Sequence, residues 1–150
     1  MRSRALRLKS GMGELEEAYY LALRDQRAHR EFFRQLRGAV LAFLIPYHPE
    51  AVGEFELGNG SNVTFIVWHL NEEGFIPVFT SAERAEQALF ATGEIDHRHG
   101  LAEMRGEELF RVIAHQDIPV MINPACGTGE MFLDIRAVAK LADGSILTEE

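Results

Sequence analysis

Two short apolar segments, each followed by polar residues, constrain the fold of this chain most. They are FIPVF (Phe75 to Phe79) and IPVMI (Ile118 to Ile122), and both have the composition of buried strands. About 40 residues with two helical patterns separate them, a connection long enough for a crossover. The sequence therefore predicts that the two strands lie in one sheet, run parallel and end at the same edge.

The segment before the first of these strands carries helical and then strand patterns. Apolar residues from Glu14 to Leu36 recur at helical spacing around a polar stretch, which predicts a kinked helix or two helices ended by Arg37 and Gly38. Alternating and β-branched residues then predict strands that would form, with Phe75 to Phe79, an antiparallel meander of about four strands. These additional strands are Ala39 to Ile45, Glu54 to Leu57 and Val63 to Leu70.

Three helices are predicted in the second half of the chain. One follows Ser81 and continues to Leu89, a second covers Glu107 to His115, and a third begins after Asp134 and ends at Asp143-Gly144. The segment Ala91 to Gly106 reads as irregular, and Asn123 to Glu130 read as a loop. The predicted fold is a single α+β domain: a mixed sheet of about five strands, an N-terminal helical segment and about three further helices.

Length and composition predict one domain with its own core. At 150 residues and 47% hydrophobic content, the chain is expected to have a basic tail over residues 1–12 and one domain over residues 13–150. A single cysteine excludes an intrachain disulfide. No apolar run approaches the roughly 18 residues of a membrane span, and the N-terminus lacks the apolar core of a secretory signal. We therefore expect a cytoplasmic protein without a membrane partner.

The charges are distributed unevenly along the chain. Residues 1–37 carry nine Lys and Arg against five Asp and Glu, whereas residues 38–150 carry six against eighteen. An acidic body argues against nucleic acid as a partner. The two parts should attract each other, within one chain or in a homodimer.

Thr80 and Ser81, at the junction of the first central strand and its helix, have two interpretations. In one, Thr80 and Glu83 form a capping box, just as Asp134 caps the last helix. In the other, the parallel strands bring this junction to the loop after the second strand, at the edge where open α/β sheets place ligands. The candidate rim for a ligand or protein partner is then Thr80, Ser81, Asn123, Pro124, Cys126, Gly127 and Gly129. The residues leave both interpretations open.

The sequence assigns no catalytic residue, metal site or cofactor. Cys126 lies among glycine amides that could cradle an anion or lower a thiol pKa, but no histidine is tied to it in sequence. Asp96, His97 and His99 could supply metal ligands, yet a further protein ligand is not evident and an exposed polar loop is the simpler interpretation. Nucleotide-binding fingerprints are missing. A small-molecule or anion binder with thiol chemistry at Cys126 remains the alternative function.

Three stretches of the chain resemble the SseB N-terminal domain family. They are EFFRQLRGAVLAFLIP, IPVFTSAERAEQAL and IPVMINPACGTGEMFLDIRAVAKL, and the resemblance runs from about Leu15 to about Gly144. It implies a bacterial, non-catalytic interaction or regulatory module with a protein partner. It also implies an effect on serine sensitivity and a link to a rhodanese-type sulfurtransferase, but no catalytic residues that could be carried over.

Overall fold

The computed structural model describes residues 13–46, 65–92, 99–127 and 129–148. Within them, five α-helices and six strands follow one another along the chain. They are α1 (Glu14–Arg24), α2 (His29–Gly38), β1 (Val40–Pro46), β2 (Trp68–Leu70), β3 (Glu73–Phe79), α3 (Ala82–Thr92), β4 (His99–Arg105), α4 (Gly106–Ala114), β5 (Val120–Ile122), β6 (Met131–Leu133) and α5 (Ile135–Asp143), with 3₁₀ turns at Gln26–Ala28 and Ser145–Thr148.

The strands form one mixed sheet in the order β4-β1-β3-β5-β6, with β2 paired to β3. Among the described strands, only β3 and β5 pair in parallel, with Val78 opposite Ile122, and the other pairs are antiparallel. The prediction that these two strands lie in one sheet and run parallel is therefore confirmed, as is the α+β class with an N-terminal helical segment and three further helices.

The sheet has a different helical cover on each face. On the first face α1, α2, α4 and α5 enclose the main core, which includes the buried Tyr19, Phe32, Phe43, Ile76 and Phe110. Of the described helices, only α3 lies on the second face, and its Ala85, Ala88 and Leu89 pack on Ala42, Leu44 and Phe79. It packs over β1, β3 and β4. Within the part of the chain that the structure describes, four helices thus cover one side of the sheet and one helix covers the other.

Several predicted elements differ from the structure. His99–Arg105 is a strand paired with β1 over seven residues, so the irregular assignment of this segment is wrong. Met131–Leu133 is a further strand, paired with β5, in a stretch for which the sequence predicted no element. The meander is wrong in its order, since β1 lies directly beside β3. Of the predicted Val63 to Leu70 strand, Trp68–Leu70 is a strand and residues 65–67 are not, while residues 63–64 lie outside the described residues. The predicted strand Glu54 to Leu57 also lies outside them.

Gly106 starts α4 where that helix meets the end of α2. Its N–H donates to the carbonyl of Ala39 at 2.8 Å. A Cβ atom at this position would lie 1.9 Å from the carbonyl oxygen of Leu36, far closer than the van der Waals contact distance of the two atoms. Only glycine fits this close approach of two backbones.

Candidate functional site

The parallel pairing of β3 and β5 brings the residues that follow both strands into contact. The N–H of Thr80 donates to Asn123 Oδ1 at 3.0 Å, and Asn123 Nδ2 donates to Thr80 Oγ1 at 3.1 Å. The N–H of Asn123 donates to the carbonyl of Val78 at 2.8 Å. Asn123 is 1% exposed and Thr80 is 6% exposed. These two side chains therefore form a buried polar link between the carboxyl ends of the central strands.

Helices α1 and α3 extend this link towards the surface. The hydroxyl of Thr80 donates to a carboxylate oxygen of Glu16, and the Arg84 guanidinium lies 3.4 Å from the other oxygen of that carboxylate. Arg84 also donates to the hydroxyl of Tyr20 at 2.6 Å. We call Glu16, Thr80, Arg84 and Asn123 the polar junction, because together they join α1, β3, α3 and β5.

Arg84 is only 16% exposed in its side chain but keeps its charge. Burial acts to lower its pKa, whereas the neighbouring Glu16, Tyr20 and Cys126 act to raise it, and the net effect is a rise. The buried carboxylate of Glu16 is thus paired with a permanent cation. Removing one partner would leave the other charge without compensation.

The helix cap lies one residue later than the capping box predicted. The hydroxyl of Ser81 accepts from the N–H of Arg84 at 3.2 Å, and the carbonyl of Ser81 accepts from Ala85. Thr80 lies just after the end of β3, before the helix begins, and its hydroxyl contacts Glu16 and Asn123 in the polar junction. The assignment of Thr80 and Glu83 as a capping box is therefore wrong, and Ser81 is the N-cap.

The cap predicted for the last helix has the expected geometry. The Asp134 carboxylate accepts from the N–H of Ala137 at 2.8 Å, and Gly144 ends the helix in the left-handed conformation. The helical spacing of Ile135, Val138 and Leu141 predicts that all three face the core. Val138 and Leu141 are buried there, but Ile135 is 43% exposed, so the prediction is wrong for Ile135.

The loop after β5, Asn123 to Glu130, is anchored to α1 by Tyr19. Its backbone is left-handed at Asn123, Ala125, Gly127 and Gly129, with φ between 54° and 98°. The hydroxyl of Tyr19 donates to the carbonyl of Gly129 at 2.7 Å and to the carbonyl of Ile122 at 3.2 Å. Burial, followed by nearby Cys126 and glutamate charges, raises the pKa of Tyr19 well above its usual value, so the hydroxyl remains a donor. The two ends of the loop are thus fixed by one side chain.

Cys126 is a protonated thiol in this loop. Its Sγ donates to the carbonyl of Arg84 at 3.2 Å and lies 3.4 Å from the carbonyl of Pro124. The pKa of Cys126 is raised to about 11, mainly by burial and also by Glu16 and Glu130, against the opposing effect of Arg84. Since the thiolate is the nucleophile, this environment opposes thiol chemistry near neutral pH.

The structure brings together most of the predicted rim but gives its polar groups internal partners. Thr80, Ser81, Asn123 and Cys126 all donate to or accept from neighbouring protein atoms. Pro124 is buried beside them, and Gly127 and Gly129 carry the left-handed turns of the exposed loop. Their contacts are those of a structural joint.

The predicted histidine site falls largely outside the described residues. Asp96 and His97 are not described, and of His99 only the backbone, in β4, is. Within the described ranges, no group of three or more His, Cys, Asp or Glu could hold a metal ion.

On the second face, the described residues form a groove that was not predicted from the sequence. A cleft of about 540 Å³ lies between β2, the end of α3 and the loop after β5. A second cleft of about 370 Å³ adjoins it and shares Leu70, Phe75 and Met121. We call the two clefts the apolar groove, whose lining is Val67, Trp68, His69, Leu70, Asn71, Glu73, Gly74, Phe75, Thr92, Met121, Pro124, Ala125, Glu130 and Phe132.

The groove combines exposed apolar side chains with negative charge. Leu70 and Phe132 are 54% and 52% exposed, and Met121 and Phe75 lie buried between them. Glu73 and Glu130 line the groove, and none of its described lining residues is Lys or Arg. The sequence signal for this surface was the alternation of strands β5 and β6, which places Met121 and Phe132 on the same face, opposite to Ile122 and Leu133.

In the described part of the chain, none of the helices has the length and apolar character required to cross a bilayer. The chain matches the family model of the SseB protein N-terminal domain over residues 15–139. No curated protein and no solved structure matches it. Because the match covers most of the chain, the protein belongs to the SseB family.

Proposed function

We propose that this member of the SseB family is a non-catalytic interaction and regulatory module that binds a protein partner through the apolar groove. The observation that carries the proposal is the pair of half-exposed side chains, Leu70 and Phe132, on opposite sides of the groove. They lie on a sheet face where α3 covers only β1, β3 and β4 among the described elements. Apolar patches rimmed by polar residues commonly mark interaction surfaces.

The shape and charge of the groove favour one class of partner segment. Its floor of Phe75 and Met121 suits the apolar side chains of a bound peptide, and Glu73 and Glu130 suit Lys or Arg between them. We propose that the groove takes an apolar segment with basic residues from a bacterial, cytoplasmic protein.

A non-catalytic role is also consistent with the polar junction and Cys126. The groups that could have held a small molecule or an anion at the predicted rim are engaged with one another. The Cys126 thiol is protonated and half-enclosed. These contacts favour a partner-binding role over the alternative of anion binding with thiol chemistry.

The family resemblance suggests the partner to test first, a rhodanese-type sulfurtransferase, with regulation of sulfur transfer as the link to serine sensitivity. The experiment is titration calorimetry of the purified sulfurtransferase from the native bacterium with the wild-type chain and with Phe132→Glu. We expect saturable binding that Phe132→Glu weakens at least tenfold.

A matched control uses the same substitution elsewhere on the same side of the sheet. Phe90 lies on α3, is 77% exposed and does not line the groove. Phe90→Glu should bind as the wild type does. Equal binding by both variants would refute the groove as the site, and no binding by the wild-type chain would refute the sulfurtransferase as the partner.

A further inference from the structure

We infer that the basic residues 1–12 of this chain occupy the apolar groove of the same molecule and compete there with the protein partner. The inference rests on the proposed function, because it assigns a regulation to the same groove. It is carried by three observations on the described residues and the sequence: the charge of the groove, the composition of residues 1–12, and the place where α1 begins.

Charge and hydrophobicity match between the segment and the groove. Residues 1–12 contain Arg2, Arg4, Arg7 and Lys9 and no acidic residue, with Leu6 and Leu8 among the basic side chains. The groove presents Glu73 and Glu130 around apolar walls. The segment therefore has the composition proposed above for a partner, an apolar stretch with interspersed basic residues.

The start of α1 lies close to one end of the groove. Gly13 is fixed at the first turn of α1, since its carbonyl accepts from Glu17 at 3.1 Å. Glu16 in the same turn contacts Thr80, Thr80 contacts Asn123, and Pro124 and Ala125, which follow directly, line the groove. Twelve residues span at most about 40 Å, so the segment can reach along the groove from this point.

Attachment to the same chain makes this occupancy effective even if the contact is weak. A segment tethered beside its site binds at an effective concentration in the millimolar range for short linkers. A partner must then displace it, which lowers the apparent affinity of the groove. This is the form of a competitive, built-in regulator.

Trp68 makes the inference measurable in the full chain. It is the only tryptophan of the protein, and it lines the groove. We would compare acrylamide quenching of its fluorescence in the wild type and in the triple variant Arg4→Glu, Arg7→Glu and Lys9→Glu. The expected result is a quenching constant at least twofold higher in the variant, and a rise in the wild type at high salt.

The matched control changes the same amount of charge on exposed arginines of three helices, with Arg24→Glu, Arg111→Glu and Arg136→Glu. This control should quench as the wild type does. A synthetic peptide of residues 1–12, added to the tail variant, should restore the wild-type quenching, and should fail to do so when Phe132→Glu is also present.

Three results of the quenching experiments would overturn the inference. The first is equal quenching of Trp68 in the tail and control variants, and the second is binding of the peptide that Phe132→Glu does not change. The third is protection of Trp68 from the quencher only at protein concentrations where sedimentation shows a dimer. The last would assign the groove to a second copy. The calorimetric test of the sulfurtransferase is independent of these outcomes. If it binds the groove in the tail variant and in the wild type with equal affinity, the proposed function stands and the built-in competition falls.

Discussion

Replacement of Asn123 by alanine tests whether the polar junction is a structural joint. The substitution removes the acceptor of the Thr80 N–H and the donor to the Thr80 hydroxyl in a site that is 1% exposed. Leaving a buried N–H without a partner costs about 1–3 kcal/mol. The left-handed backbone at φ 54° adds about 1 kcal/mol, because alanine tolerates it less well than asparagine. We expect a total loss of about 3 kcal/mol.

The chain offers a control with the same residue type and the same backbone angle. Asn71 also has φ 54°, but it is exposed in the turn between β2 and β3. Asn71→Ala should therefore lose only the conformational part, about 1 kcal/mol. The difference of about 2 kcal/mol between the two variants isolates the hydrogen bonds of the junction.

Urea unfolding followed by far-ultraviolet circular dichroism would measure both variants. The expected signature is a lower midpoint for Asn123→Ala with an unchanged slope. If Asn123→Ala costs no more than Asn71→Ala, the hydrogen bonds between Asn123 and Thr80 contribute nothing to stability. Asn123 would then return to the candidates for direct ligand binding.

Three other perturbations have definite expected outcomes. Gly106→Ala should destabilise the protein by about 3 kcal/mol or more in the same assay, since its Cβ would overlap the Leu36 carbonyl. Gly38→Ala is the control: its Cβ meets no atom within 4 Å, so the change should be neutral or stabilising by up to about 1 kcal/mol. Glu72→Gly should raise stability by about 1 kcal/mol, because Glu72 has φ 72° in a turn that favours glycine, and an unchanged midpoint would contradict this. Cys126 should react with a disulfide reagent at pH 8 at least about tenfold more slowly in the folded than in the urea-unfolded chain, because its folded pKa is raised to about 11 from 9.0. Rapid reaction of Cys126 in the folded chain would refute its assignment as a protonated thiol. Because the unfolded thiol loses its proton at a lower pH than the folded one, the free energy of unfolding should also fall as the pH rises from about 9 to about 11.

The predictable part of the fold is the part with strong local patterns. The apolar runs of β1, β3 and β5, the helical spacing of α1 to α5 and the Asp134 cap all lie in short stretches of sequence. Strand β4 was missed because its sequence, HGLAEMR, is short of β-branched residues, and its pairing with β1 is a long-range contact. Strand β6 was missed because only three residues follow a loop rich in glycine.

The same distinction applies to the site. The meeting of Thr80 and Asn123 followed from the parallel crossover and could be predicted. The contribution of Glu16 could not, because its position in the polar junction depends on how α1 packs across the sheet. The groove could not be predicted either, since alternation along β5 and β6 shows which face Met121 and Phe132 share but not whether a helix covers it.

The polar junction and the apolar groove both include residues of the loop after β5, so a variant of one can affect the other. Asn123 fixes the start of the loop and Tyr19 holds Gly129 near its end, while Pro124, Ala125 and Glu130 form a wall of the groove. A substitution at Asn123 should therefore weaken partner binding through a displaced wall, without Asn123 touching the partner. Phe132→Glu separates the two effects, because it alters an exposed side chain of the groove and leaves the junction intact. If binding tracks stability across junction variants but is lost in Phe132→Glu at unchanged stability, the junction is a positioning device and the groove is the binding surface.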